Sequence, residues 1–421
     1  MFRAAAPFAI ALAVATLSPP DLRAQDDRDH LTRKDGHVLH GRVVEPFADA
    51  EIELRQGGKR LRLQRGDLTS IDLVGDRVRT FCERRLRQKD SPKAQVYLVD
   101  WAAAQGLTGL ARLQAMALVL QDDDNTALHE FLGHERSAKG WLWEHDGRRL
   151  LKEQFDAALA KAPLLLRGER FSLRCDGGLA TNVNALLDLE QLGVAFYDRF
   201  GKELQLKETL LPVEVFAHRN SDQFPKWGFR PVPWYEPPPH GDVGHTFYQG
   251  PAPLRPERLF FVGTQGLLYR SLIGEADRGN DRDRVCPWLE IGLGMVMEFS
   301  MQGPAGFARP GDLRAQDLQA LTALSRGYRL THLLHLPMYG SFYLTDDNNT
   351  AVNWSAATMF VAWLLEPDNS PATRAPFLRF VRQALAEKKG DSSSAFDGAM
   401  GRRVEELEAP WREWLAKKAG I

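Results

Sequence analysis

Cysteine is scarce in this chain of 421 residues: Cys82, Cys175 and Cys286 are the only three, and they lie far apart. That number and spacing exclude a disulfide-built scaffold and a structural zinc knuckle. An odd count leaves at least one thiol free, the sequence does not choose a pair, and buried spectator thiols are expected. An excess of either charge is lacking too, with Lys+Arg 54 against Asp+Glu 55. A net charge of -1 excludes a general nucleic-acid binder and a polybasic membrane-surface protein. There is no Gly-X-Y or low-complexity repeat, and at 44% hydrophobic residues the chain is too apolar for disorder. After residue 24 no apolar run reaches membrane-spanning length, so no integral membrane segment is expected. Function must be sought in a local site.

What is present begins with a targeting signal. Met1-Phe2-Arg3 supplies a short positive start, Ala4 to Leu17 an apolar stretch, Ser18-Pro19-Pro20 a helix break, and Leu22-Arg23-Ala24 a cleavage site. The segment 1–24 therefore predicts a signal peptide and a protein secreted to the periplasm or the medium.

Between His30 and Val74 the chain alternates in short runs punctuated by Asp35-Gly36 and Gly57-Gly58, which are hairpin signals. Five strands in so short a stretch predict a small SH3-like β barrel over 25–75, a unit that mediates contacts and performs no chemistry. Apolar residues then recur at helical spacing, as in Leu107, Leu110, Leu113, Met116 and Leu120, so 76–162 reads as a helical linker region. Within it Asp122-Asp123-Asp124-Asn125 starts a helix, Gly140-Trp141-Leu142-Trp143 reads as a compact aromatic turn, and a helix is expected from Arg148 to Ala162. From Leu164 to Asn220 the pattern is strand–helix–strand. Residues 231–256 hold eight prolines and read as a long irregular loop. Beyond Pro256 helices are expected near 258–274, 283–300, 313–327, 350–366, 374–388 and 402–418. The fold class is α+β.

This order of elements, with Pro287-Trp288-Leu289-Glu290-Ile291-Gly292-Leu293-Gly294 opening a late helix, resembles the gluzincin, or peptidase MA-like, superfamily of zinc metallopeptidases. More narrowly it is similar to a group of secreted bacterial proteins of unknown function within it. The resemblance runs over roughly residues 125 to 418 and implies a mainly helical, zincin-like domain over 163–421 that ends in a helical bundle. It also implies a helix bearing His-Glu-x-x-His and a Glu ligand on the next helix. In that motif two histidines four apart bind zinc from one helix face, and the glutamate acts as general base on a zinc-bound water.

The motif itself is missing. His129-Glu130 has Gly133 four residues on, and His134-Glu135 has Ala138. The helix matching the zinc helix, Phe260 to Arg270, contains no histidine; in one register Thr264, Gln265 and Leu268 replace His, Glu and His. The third-ligand position falls on Ile291, with Glu290 one residue away and about 100° round the helix. The remaining metal candidates are His240 and His245 in the proline-rich loop and the pair His332 and His335, none with an acid at ligand spacing. No Gly-x-Ser-x-Gly elbow, Walker loop or dinucleotide fingerprint occurs either.

The expectation is therefore an exported pseudopeptidase: a non-catalytic protein without cofactor, on a metallopeptidase-like scaffold, binding a peptide, protein or cell-envelope component. The alternative is an active zinc-dependent peptidase or other hydrolase with a relocated metal site.

Overall fold

The computed structural model describes residues 28–209, 211–224, 232–236, 241–249, 255–273, 286–301, 328–338, 340–343, 348–366, 371–386 and 392–419. The expected signal peptide and the helix expected near 313–327 lie outside the described residues. The chain opens with β1 (Asp29–Arg33), β2 (Val38–Val43), β3 (Glu51–Gln56), β4 (Lys59–Gln64) and β5 (Leu68–Asp72), an antiparallel sheet in the order β4-β3-β2-β1-β5. β2 pairs with β1 as far as Gly41 and with β3 from Arg42 onward. That change of partner lets the sheet enclose Leu31, Val43, Ile52 and Leu54, which are buried together. The end strands β4 and β5 do not pair with each other, so among the described residues this is an open sheet and not the closed barrel expected.

Buried polar bonds fix this sheet to the body. Asp29 accepts from the backbone N–H of Val43 at 2.8 Å and of Val74 at 2.6 Å, tying β1 to β2 and to the first turn of the next helix. Glu208 accepts from Arg170 Nε at 2.9 Å, and Arg42 lies 3.7 Å from the same carboxylate oxygen. Arg170 also lies over the ring of Tyr197, and Phe47 stacks on that ring from the sheet side. Charges this deep are tolerated because each has a partner, and removing one would strand the others.

The helices α1 (Val74–Arg87), α2 (Pro92–Ala104), α3 (Thr108–Gln121) and α4 (Thr126–Leu132) follow as expected, and the Asn125 side chain caps α4 by accepting from Leu128 N at 3.1 Å. Next comes a sheet where a turn and a helix were expected: β6 (Glu135–Ser137), β7 (Gly140–His145) and β8 (Arg148–Leu151), before α5 (Lys152–Leu159). Trp141, Trp143 and His145 point inward at a period of two, and Asp146-Gly147, both at positive φ, make the hairpin turn. Residues 76–162 are no linker in packing terms: Phe81, Leu98, Leu110 and Phe155 belong to one core with Leu186, Phe196, Leu267 and Trp288.

The expected strand–helix–strand unit is formed by β9 (Leu164–Arg167), β10 (Phe171–Cys175), α6 (Leu179–Leu204) and β11 (Val213–His218), with β10 and β11 parallel. The proline-rich stretch adds two strands that were read as loop, β12 (Trp234–Glu236) and β13 (Val243–Phe247), giving the order β12-β13-β11-β10-β9. Its prolines flank these strands without interrupting them, and Val243, His245 and Phe247 keep the strand period. The chain then runs through α7 (Leu259–Leu268), a π-helical turn (Tyr269–Ile273), α8 (Pro287–Met301), α9 (Leu330–Leu334), α10 (Asn348–Leu364), α11 (Pro371–Ala386), α12 (Ser392–Met400) and α13 (Val404–Ala419). The fold is thus α+β. Cys82, Cys175 and Cys286 are buried thiols, and burial pushes the first two up to about 12. Among the described residues no helix is long and apolar enough to cross a membrane.

Candidate functional site

α7 lies between the second sheet and α8, so Thr264, Gln265 and Leu268 do come together with Glu290 and Ile291. What they form is packed core. The Thr264 hydroxyl donates to the carbonyl of Phe260 one turn back at 2.7 Å, which satisfies it within its own helix. Leu268 and Ile291 are buried hydrocarbon. Gln265 is buried as well, and its side-chain oxygen finds no hydrogen-bond partner. Glu290 accepts from the Tyr269 hydroxyl at 3.2 Å. A second acid on α8, which sequence reasoning missed, does structural work: Glu298 accepts from Phe261 N in the first turn of α7 at 2.8 Å. It caps that helix from outside.

The Pro-Trp-Leu-x-x-Gly-Leu run on α8 is explained by packing alone. Trp288 is fully buried among Phe360, Phe380 and Phe396, with ring centroids 5.6, 6.0 and 5.9 Å away. Gly292 lies where α10 crosses, and a Cβ there would stand 2.7 Å from the carbonyl oxygen of Ala357. Pro287 opens the helix, where its missing N–H is not needed.

The candidate histidines do not converge on this helix pair. His245 is on β13, and its neighbour Gly244 faces Val262 of α7, so His245 points to the opposite face of the sheet. His332 and His335 are exposed on and just after α9, whose leucines pack inward as expected. His240 lies outside the described residues. Among the described residues no three His, Cys, Asp or Glu side chains group as a metal site would require.

The face of the second sheet away from α7 carries a different cluster. Phe216 and His218 on β11, His245 on β13, and Trp234 and Glu236 on β12 share it by strand alternation and register. His218 Nε2 lies 3.4 Å from His245 Nδ1. Glu236 stands 3.7 Å from the other nitrogen of His245. Phe216 stacks on His218 at 4.0 Å, Trp234 stacks on His245 at 4.5 Å, and Phe224 meets His218 edge-on. Burial, and then the neighbouring His245, lower the His218 imidazole to about 4, so it is neutral near pH 7. Only His245 of this group stood out in the sequence. The others depend on pairing between strands far apart in the chain, although the strand parity of Glu214, Phe216 and His218 was readable.

The two failed His-Glu pairs meet each other instead. His129 Nδ1 and His134 Nδ1 are 2.8 Å apart, a full hydrogen bond. His129 stacks flat on Trp141 at 4.3 Å, and His134 lies on Trp143 at 4.1 Å. Burial lowers both imidazoles, His134 to about 4.

No protein-family model matches the chain, and no curated protein matches it in sequence.

Proposed function

We propose that this chain is an exported, non-catalytic protein on a gluzincin-like scaffold, with an SH3-like module at its N-terminus, and that it acts by binding a peptide, protein or cell-envelope component. The observation that carries the reading is the content of the α7–α8 pair. Where the resemblance calls for two imidazoles and a carboxylate around an open coordination position, Thr264, Leu268 and Ile291 fill the space with a satisfied hydroxyl and hydrocarbon. Glu290 is engaged by Tyr269. The bent path of β2 supports the SH3-like reading of the first sheet.

The test is hydrolysis. Residues 25–421 are incubated with unfolded protein and with mixed peptide substrates, with and without a strong chelator. No chelator-sensitive cleavage is expected. Cleavage that a chelator stops and that Glu290→Gln abolishes would overturn the proposal.

A further inference from the structure

We propose that His218 and His245 form a binding site for a divalent transition-metal ion of the Cu2+, Ni2+ or Zn2+ class on the outer face of the second sheet. The two nitrogens that face each other, Nε2 of His218 and Nδ1 of His245, are 3.4 Å apart. An ion held at the usual metal–imidazole distance of about 2.0–2.1 Å in tetrahedral geometry sets its two nitrogens about 3.3 Å apart. A good hydrogen bond between imidazoles is shorter, at about 2.9 Å. The chain supplies its own comparison, since the His129–His134 pair sits at 2.8 Å. One pair is closed on a shared proton; the other is spaced for an ion.

Three further features fit this use. Both ligands stand on neighbouring parallel strands, which fix their separation better than a loop would. Glu236 on the edge strand lies 3.7 Å from Nε2 of His245, the nitrogen remote from His218. A carboxylate there holds the proton on Nε2 and leaves Nδ1 free to ligate, the usual outer partner of a metal-bound histidine. The rings of Phe216 and Trp234 stack against the two imidazoles and restrict their rotation. Two protein nitrogens leave the remaining positions to water, so the ion is held reversibly. Imidazole ligands place Cu2+ ahead of Ni2+ and Zn2+ in affinity. The site is separate from the α7–α8 pair and does not rest on the non-catalytic reading.

The experiment is calorimetric titration of chelator-stripped residues 25–421 with Cu2+ and with Zn2+, followed in parallel by tryptophan fluorescence. Saturable one-to-one binding is expected, with Cu2+ quenching part of the emission through Trp234, stacked 4.5 Å from His245. His218→Ala and His245→Ala should each weaken binding more than tenfold. Glu236→Gln, a partly exposed edge position that should not disturb folding, should weaken it about tenfold. His332→Ala should leave it unchanged. Absence of saturable binding, or affinity unchanged in Glu236→Gln and in the folded double histidine variant, would overturn the site. Either of those results would leave the absence of peptidase activity untouched.

Discussion

The carboxylate of Glu298 on α8 accepts the backbone N–H of Phe261, 2.8 Å away in the first turn of α7. This one bond joins the two helices that a gluzincin uses for zinc, and it does so by capping instead of by coordination. Glu298→Ala should lower unfolding free energy by about 2–3 kcal/mol, combining a lost cap with a stranded buried N–H. Glu298→Gln, which keeps an acceptor oxygen, should lose clearly less. Chemical denaturation of the two variants checks the order; equal losses would show that the cap contributes little.

Neighbouring positions on α8 should respond in opposite ways. Glu290→Gln keeps the shape and an acceptor for the Tyr269 hydroxyl, so stability should change by less than about 1 kcal/mol. Ile291→Glu would place a carboxylate in a fully buried, hydrocarbon-lined position, and a loss of about 3 kcal/mol or more is expected. Thermal unfolding of both proteins decides. If Ile291→Glu were tolerated, the packed description of this helix pair would fail.

The His129–His134 pair makes a pH prediction. Burial holds His134 at about 4 against 6.5 for the free side chain, and lowers His129 in the same direction. Between those values the unfolded chain binds more protons than the native one. Stability from this pair is therefore complete above pH 6.5 and is lost as pH falls toward 4, at a limit of about 1.4 kcal/mol per pH unit per proton. His134 is only partly buried, so solvent screening brings its share below that limit. Glu190 acts in the opposite sense: burial raises its carboxyl to about 7, so its stabilisation is present below 4.5 and lost as pH rises to 7. Comparison with His134→Gln isolates the pair. The variant should be less stable at neutral pH but lose less between pH 7 and 4, and parallel profiles for the two proteins would contradict this.

Much of the architecture was readable because local chemistry states it. Asp35-Gly36 and Gly57-Gly58 mark the first hairpins, and the apolar periodicity of α1 to α3 and of Leu179–Leu204 marks helices. The missed sheet β6-β7-β8 carried its signal in Asp146-Gly147 and in the alternation of Trp141 and Trp143, masked by the helix that begins at Lys152. β12 and β13 were hidden by proline count, although the prolines lie outside the strands. The missing histidines on α7 were legible as plain sequence. The His218–His245 pair was not, because it exists only through the parallel pairing that sets Phe216 opposite His245. Glu298 could not be assigned either, since its partner is a backbone N–H on another helix.

The central claim is that the α7–α8 pair holds no catalytic zinc. The most direct measurement is zinc content by elemental analysis of residues 25–421 and of the His218→Ala/His245→Ala variant, each dialysed exhaustively against metal-free buffer. Both should retain far less than one zinc per chain, with any residue in the wild type lost in the double variant. Close to one zinc per chain, held equally by both proteins and released only by a strong chelator, would contradict the account.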